Sequence, residues 1–155
     1  ADPLRHLILP VMQRLVDEGC ESPSFHIRQT DEERYCLFRL DSNHSTLDRV
    51  HAGDRLPVRR GAAGKVLLAF DEKTEKTPEL AQIRESCFAV SLGERDEFCA
   101  GVAAPVFSHH NRLVGALSFS GPRERFGSDD VARMKDTMLA AARELTSELG
   151  GDYPV

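Results

Sequence analysis

The chain has 155 residues, of which 41% are hydrophobic and 29% charged, and its formal net charge is −5. These values predict one globular domain over residues 1–155. The sequence contains no apolar run close to the roughly 20 residues needed to span a bilayer. An acidic domain is not expected to bind DNA by itself, because DNA-binding domains present a basic face. No export leader is recognisable, so a cytoplasmic protein is expected.

The first part of the chain predicts a helix followed by a hairpin. Apolar residues repeat at helical spacing from Pro3 to Gly19, and Pro10 is expected to kink this helix or divide it in two. Strand-like segments at 24–30 and 35–40 are joined by a polar connection of hairpin length. A third strand is predicted at 46–50.

The rest of the chain alternates between helices and strands. Helices are predicted at 63–70 and 79–85, and a strand at 88–92. Two almost continuously apolar strands at 102–107 and 113–119 follow, as expected for strands covered on both faces. Ser128 is the expected cap of a long final helix. Antiparallel strands with helices before, between and after them predict an α+β domain.

Two serines interrupt the last apolar strand. Ser118 and Ser120 are two residues apart, so their side chains project from one face, just before Gly121-Pro122 is expected to end the strand. Buried hydroxyls require hydrogen-bond partners, and a small polar ligand would supply one. The alternative is that both hydroxyls are satisfied across the sheet.

The segment Gly61–Lys65 is rich in small residues. It is not a phosphate loop, because only two residues separate its glycines and neither Ser nor Thr follows the lysine. It predicts a helix start whose free N–H groups, at Ala62, Ala63 and Gly64, favour a carboxylate. Arg59 and Arg60, just upstream, are candidate bidentate partners for that carboxylate, and alternation lets only one of them face inward. The alternative is a turn that simply requires small side chains.

Five short motifs follow one another along the chain. They are Leu-Pro at 56–57, a small-residue turn ending in Gly-Lys at 64–65, Leu-Leu-Ala at 67–69, Ala-Ala-Pro-Val-Phe at 103–107 and Ser-x-Ser-Gly-Pro at 118–122. In this order they resemble the effector-binding domain of the IclR family of bacterial transcription regulators. The resemblance implies a GAF-like fold, which is an antiparallel sheet flanked by helices with a ligand cavity on one face.

The resemblance also implies which residues line that cavity. Two small residues and two hydroxyls match its pocket positions: Ala62, Ala63, Ser118 and Ser120. Gly101 stands where some members have a polar or thiol residue, and Ser91 stands where some have an aspartate. Fewer ionic contacts are therefore expected, and Gly101 leaves space for an aromatic ring. Apolar lining is expected from Leu47, Leu56, Val58 and Cys99.

The leading hypothesis is a ligand-sensing and oligomerising domain. It would bind a small organic acid, with aromatic acids among the candidates, and form a homodimer or tetramer. DNA would be contacted only through an N-terminal winged helix-turn-helix domain absent from this chain. No catalytic residue, cofactor or metal site is expected, because His109-His110 has no further ligand at metal spacing.

Two alternatives remain. GAF-like folds also occur in redox enzymes of the free methionine sulfoxide reductase type, in which Cys87 and Cys99 would act as nucleophile and resolving partner. Such thiols require a lowered pKa and access to solvent. A domain that only oligomerises, with side chains filling its pocket, is the other alternative.

Overall fold

The computed structural model describes residues 3–43 and 50–155. These residues form four α-helices and six strands in the order α1 (Pro3–Asp17), β1 (Ser22–Arg28), β2 (Glu33–Arg39), β3 (Arg55–Pro57), α2 (Ala62–Ala69), α3 (Pro78–Ser86), β4 (Ala89–Leu92), β5 (Cys99–Phe107), β6 (Leu113–Pro122) and α4 (Ser128–Glu148). Single-turn 3-10 helices at His109–Asn111 and Arg123–Arg125 follow β5 and β6. None of the helices described here is long and apolar enough to cross a membrane.

The strands form one antiparallel sheet in the order β3-β2-β1-β6-β5-β4. Two hairpins that are local in sequence, β1–β2 and β5–β6, are joined where β1 pairs with β6. Ser24 then lies directly opposite Ser118, and Gly101 lies opposite Ser120. The α+β prediction is confirmed.

Helices cover both faces of the sheet. Val102, Ala104 and Val106 of β5 belong to a core shared with α1 and α4, whereas Ala103 belongs to a second core with α2 and α3. This alternation follows from the period of two in a strand. It also explains the continuous apolar sequence of β5, because residues 102–107 are all buried.

Two predicted helix features differ from the structure, which shows no division of α1 at Pro10 and no cap at Ser128. Helix α1 runs without interruption through Pro10, because buried Ile8 and Met12 on either side hold both halves against the core. Helix α4 is capped by Gly127 and not by Ser128, which is already its first helical residue. The carboxylate of Asp130 accepts the Gly127 N–H at 3.2 Å, so an acidic side chain in the first turn replaces the expected serine cap.

Two strand predictions also differ from the structure. Strand β6 continues through Gly121 to Pro122, since β5 pairs with it along its whole length and Cys99 lies opposite Pro122. The three-residue strand β3 was not predicted as a strand, because so short an edge strand shows no period of two. The predicted strand at 46–50 lies outside the described residues except for Val50, which is buried and not in a strand.

A hydrogen bond of Thr146 joins the end of α4 to β5, at the position where the register of β5 with β6 shifts. The register of the β5–β6 pair shifts between Val106 and Phe107. There the Phe107 N–H donates to Thr146 Oγ1 at 3.1 Å, and the Thr146 side chain is fully buried. A backbone donor released from a regular ladder and buried requires such a replacement acceptor.

We expect Thr146→Val to lower the free energy of unfolding by about 1–3 kcal/mol, because the nearly isosteric side chain leaves the Phe107 N–H without an acceptor. Urea denaturation followed by circular dichroism measures this loss. Thr146→Ser is the matched control, since it keeps the acceptor and removes one methyl group, worth about 0.8 kcal/mol by transfer. A valine variant as stable as the parent would contradict this role.

Candidate functional site

A small cavity lies between the start of α2 and the strands β1, β5 and β6, on the α2 face of the sheet. Its volume is about 40 Å³, room for about three water-sized groups at about 10–15 Å³ each. It is lined by Ser24, His26, Arg34, Val50, Gly61, Ala62, Ala63, Ser91, Arg95, Cys99, Ala100, Gly101, Ser118, Phe119 and Ser120. No aspartate or glutamate is among these described lining residues.

The structure brings most of the predicted site residues to this cavity. Those that line it are Ala62, Ala63, Ser91, Cys99, Gly101, Ser118 and Ser120. Leu47 lies outside the described residues. Four other candidates do not line the cavity: Leu56, Val58, Arg59 and Gly64.

Each of these four is kept away by its own surroundings. Val58 is fully buried in the core that contains α2 and α3 residues. A Cβ on Gly64 would lie 2.1 Å from the Val58 carbonyl oxygen, so Gly64 serves the close packing of α2 on that turn. Leu56 belongs to the edge strand β3. Arg59 is 69% exposed, and its Nε lies 3.8 Å from a carboxylate oxygen of Glu32.

Arg34 is a buried cation in the cavity wall, only 3% exposed. Its Nη1 donates to the carbonyl oxygens of Pro57, at 2.6 Å, and of Arg60, and its Nε donates to His26 Nδ1 at 3.3 Å. Within residues 3–43 and 50–155, Nη2 has no acceptor and no carboxylate pairs with Arg34. Burial, with Arg95 nearby, lowers the pKa of Arg34 from 12.5 to about 10, so the group stays charged at neutral pH.

Hydrogen bonds continue from Arg34 across β1 to β6. His26 Nε2 lies 2.9 Å from Ser24 Oγ, which lies 2.7 Å from Ser118 Oγ. All three side chains are buried. The Ser118 hydroxyl therefore has a partner across the sheet, as the alternative to a ligand predicts, because the β1–β6 register places Ser24 opposite it. The Ser120 hydroxyl lies 3.5 Å from Arg39 Nη1.

The His26 ring is neutral at physiological pH. Burial lowers the pKa of His26 well below 6.5, and the positive charges of Arg34, Arg39 and Arg95 lower it further. A neutral imidazole has one N–H donor and one acceptor nitrogen. His26 therefore accepts from Arg34 on one side and faces Ser24 on the other.

The first turn of α2 presents backbone donors. Its first intrahelical bond runs from Lys65 N to Gly61 O at 3.1 Å, so the N–H groups of Ala62, Ala63 and Gly64 precede the helical ladder. No acceptor for these three groups occurs in the described part of the chain. Ala62 and Ala63 lie at the cavity and add the positive end of the helix dipole to it.

Lys65 does not contribute to the cavity. Its ammonium donates to the carboxylates of Glu79, at 3.0 Å, and Glu94, at 2.6 Å, and to the Val90 carbonyl oxygen at 2.6 Å. These contacts tie α2 to α3, to β4 and to the turn after β4. Lys65 is thus a buried cation whose charge is balanced by two carboxylates, and its role is structural.

Cys87 and Cys99 lie too far apart to act together. Cys87 is close to Tyr153, whose hydroxyl donates to the Pro105 carbonyl oxygen at 2.8 Å. Cys99 lies six residues before Pro105 on β5, about 20 Å away at about 3.3 Å per residue, whereas a disulfide needs Cα atoms within about 7 Å. Burial also raises the pKa of the Cys87 thiol, the reverse of what a nucleophile requires.

The polar groups that β1 and β2 contribute to the cavity are not among the predicted site residues. Ser24 and His26 alternate with buried apolar residues on β1, a period-two signal like that of the two serines on β6. Arg34 gave no signal, because an arginine near a hairpin turn is ordinarily solvated. The remaining unpredicted lining residues are Val50, Gly61, Arg95, Ala100 and Phe119.

The sequence and the fold match the same family. The family model described as bacterial transcriptional regulator IclR C-terminal matches residues 77–147. The chain is 27% identical over 156 residues to the transcriptional regulator KdgR of Escherichia coli K12, covering 84% of this chain and 59% of that protein. It is 24% identical over 169 residues to the transcriptional repressor IclR of the same organism, covering 94% and 62%.

The fold closely matches that of a domain crystallised from another regulator of this family, targeted as its residues 129–302. The TM-score is 0.88 with 22% identity, over 99% of this chain and 100% of that one. The sheet and its helices have the same arrangement as in that crystallised domain. The chain belongs to the IclR family of bacterial transcriptional regulators. It spans about three fifths of the length of the two curated relatives above.

The buried neutral His26 makes stability depend on pH. Its pKa is lowered in the folded state, so below about pH 6.5 the unfolded chain binds a proton that the folded chain does not. Stability is therefore full above that pH and falls as the pH decreases toward the folded-state pKa, by up to about 1.4 kcal/mol per pH unit.

Urea denaturation of the parent and of His26→Gln at pH 7, 6 and 5 isolates this effect, since all other groups titrate in both proteins. The stability advantage of the parent over the variant is expected to shrink as the pH falls. A difference that stays constant over this range would show that His26 titrates normally.

Proposed function

We propose that this domain is the ligand sensor of a transcriptional regulator and that its ligand is a small organic acid bound in the cavity beside α2. The observation that carries the proposal is an excess of donors. The described lining residues include arginines, hydroxyls and helix-start amides, but no carboxylate. A buried cation without an anionic partner is costly, and a carboxylate ligand would supply one.

Arg34 Nη2 and the amides of Ala62 and Ala63 are the proposed carboxylate donors. Arg34 is held from its other nitrogens by Pro57, Arg60 and His26, so it is pre-oriented before a ligand arrives. Pre-orientation reduces the entropic cost of binding. This role replaces the one expected of Arg59, which lies exposed beside Glu32.

The size of the cavity favours a compact ligand. About 40 Å³ accommodates a group such as acetate or a slightly longer aliphatic acid, at about 10–15 Å³ per water-sized group. Gly101 bounds this space: a Cβ built there would lie 3.9 Å from the Cβ atoms of both Ala62 and Ser120. An aromatic acid would require the walls to move apart.

We expect Arg34→Met to weaken acetate or propionate binding by about 10- to 150-fold, because a charge-assisted hydrogen bond is worth about 1.5–3 kcal/mol. NMR titration of the Ala62 and Ala63 amide signals measures the affinity, with benzoate as the aromatic probe. Arg59→Met is the matched control. Its affinity for the acid should lie within about twofold of the parent's, which corresponds to about 0.4 kcal/mol of binding free energy.

Circular dichroism must show that the Arg34 variant folds. Gly101→Ala provides a second test that removes no donor, since its added methyl narrows the cavity between Ala62 and Ser120. Equal affinity in the parent, Arg34→Met and Gly101→Ala would place the acid elsewhere on the domain.

We also propose that the domain forms a homodimer or tetramer, and that the ligand shifts the populations of these assemblies and so the DNA binding of the longer protein. The apolar stripes of α1 and α4 are largely used inside the domain. The surface that supports association is instead formed by β4 and the turn that follows it, where Leu92 is 45% and Phe98 65% exposed.

Multi-angle light scattering at tens of micromolar is expected to show a species of at least two chains. Phe98→Ser should shift it toward monomer, because a large exposed aromatic is a typical interface anchor. Asp136→Ser, at an exposed position of α4, is the control. A parent that is monomeric throughout this range would contradict self-association by this domain.

A further inference from the structure

The hydrogen bonds that join Arg34, His26, Ser24 and Ser118 have a fixed direction at their first step. We call these four residues the relay. A guanidinium can only donate hydrogen bonds, so His26 Nδ1, 3.3 Å from Arg34 Nε, must be an acceptor. A neutral imidazole carries a single proton. That proton therefore lies on Nε2 of His26, which donates to Ser24 Oγ at 2.9 Å.

The rest of the relay holds one more proton than its hydrogen bonds use. Its two remaining contacts are His26–Ser24 and Ser24–Ser118, and each uses one proton. Nε2–H and the two hydroxyls supply three. One hydroxyl proton is left over, whichever way the bond between the serines runs. No other acceptor for either serine occurs in the described part of the chain, and both serines line the cavity.

We infer that the relay makes the serine end of the cavity an obligatory hydrogen-bond donor, and that it thereby selects a carboxylate over the isosteric amide. The inference rests on the proposed function, because it concerns the ligand of the same cavity. Arg34 sets the direction and His26 transmits it, so His26 is a positioning residue. The opposite His26 tautomer would consume both hydroxyl protons within the relay and leave none for a ligand.

Selection follows from what lies at the two ends of the cavity. Arg34 Nη2 and the α2 amides are donors at one end, and the leftover serine proton is a donor at the other. A carboxylate accepts at both ends. A primary amide must turn its NH₂ group toward donors at one of them, which leaves buried polar groups unpaired and is therefore unfavourable.

Ser91 provides a contrast within the same cavity. It is buried and lines the cavity from β4, and no hydrogen bond of its side chain occurs among the described residues. A hydroxyl outside any relay rotates to donate or to accept as the ligand requires. Ser91 therefore contributes affinity without distinguishing acid from amide.

The first test reads the tautomer directly and needs no ligand. In the ¹⁵N NMR spectrum of the histidine-labelled chain, the His26 signals are assigned by their absence in His26→Gln. We expect a protonated Nε2 and an unprotonated Nδ1, unchanged between pH 6.5 and 8. A protonated Nδ1 would overturn the inference, because the surplus proton would not exist.

The second test compares acetate with acetamide, which are isosteric. The parent should bind acetate at least tenfold more tightly. In the double variant Ser24→Ala/Ser118→Ala, acetate affinity should fall about tenfold while acetamide affinity stays constant or rises, so that the ratio collapses. Ser91→Ala should weaken both probes alike and keep the ratio. A ratio unchanged in the double variant would overturn the inference.

Failure of the inference and failure of the proposed function give different results. If the parent binds neither acetate nor acetamide, and binds no acid of greater chain length, the proposed function fails and the selectivity fails with it. If acetate binds at Ala62 and Ala63 but acetamide binds equally well, the proposed function stands and the relay does not select. Should the double variant not fold, the His26 tautomer and the parent's own acetate-to-acetamide ratio decide the inference: a protonated Nδ1, or a parent that binds the two probes equally, overturns it.

Discussion

The pairing of β1 with β6 is the constraint on which the rest of this domain depends. Each of these strands belongs to a hairpin that is local in sequence, and only their pairing joins the hairpins into one sheet. The entropic cost of closing so long a loop grows slowly with its length, and the two apolar cores formed on either face offset it. The same pairing places Ser24 against Ser118 and creates the floor of the cavity.

Arg34 links the stability of the domain to its candidate site. Taking a guanidinium out of water is expensive unless hydrogen bonds replace its hydration. Here the carbonyl oxygens of Pro57 and Arg60 and the ring of His26 do so. Because these carbonyls belong to the end of β3 and to the turn before α2, Arg34 also holds the start of that helix beside the cavity. A side chain that stabilises the turn thus supplies the fixed positive charge for an anion.

The sequence predicted the parts of the fold that rest on local physics. Both hairpins, helix α2 and the doubly covered β5 follow from periodicity and turn composition. The details that failed depend on distant partners. The core on either side of Pro10 keeps α1 continuous, pairing with β5 extends β6 to Pro122, and β3 exists only because β2 offers it an edge. For the site, the sequence predicted Ser118 and the small residues at the start of α2, because helix starts and strand faces depend on residues that are close in sequence.

By itself, then, the sequence determined the order of elements, the two-sided burial of the central strands and the small, donor-rich start of α2, because each depends on residues a few positions apart. Only the tertiary structure decided that Arg34 and not Arg59 faces the cavity, that Ser118 is bonded to Ser24, and that Cys87 and Cys99 lie apart. These outcomes depend on strand register and on which charge the fold removes from water. Both are set by residues far apart in the chain, whose proximity no local pattern records.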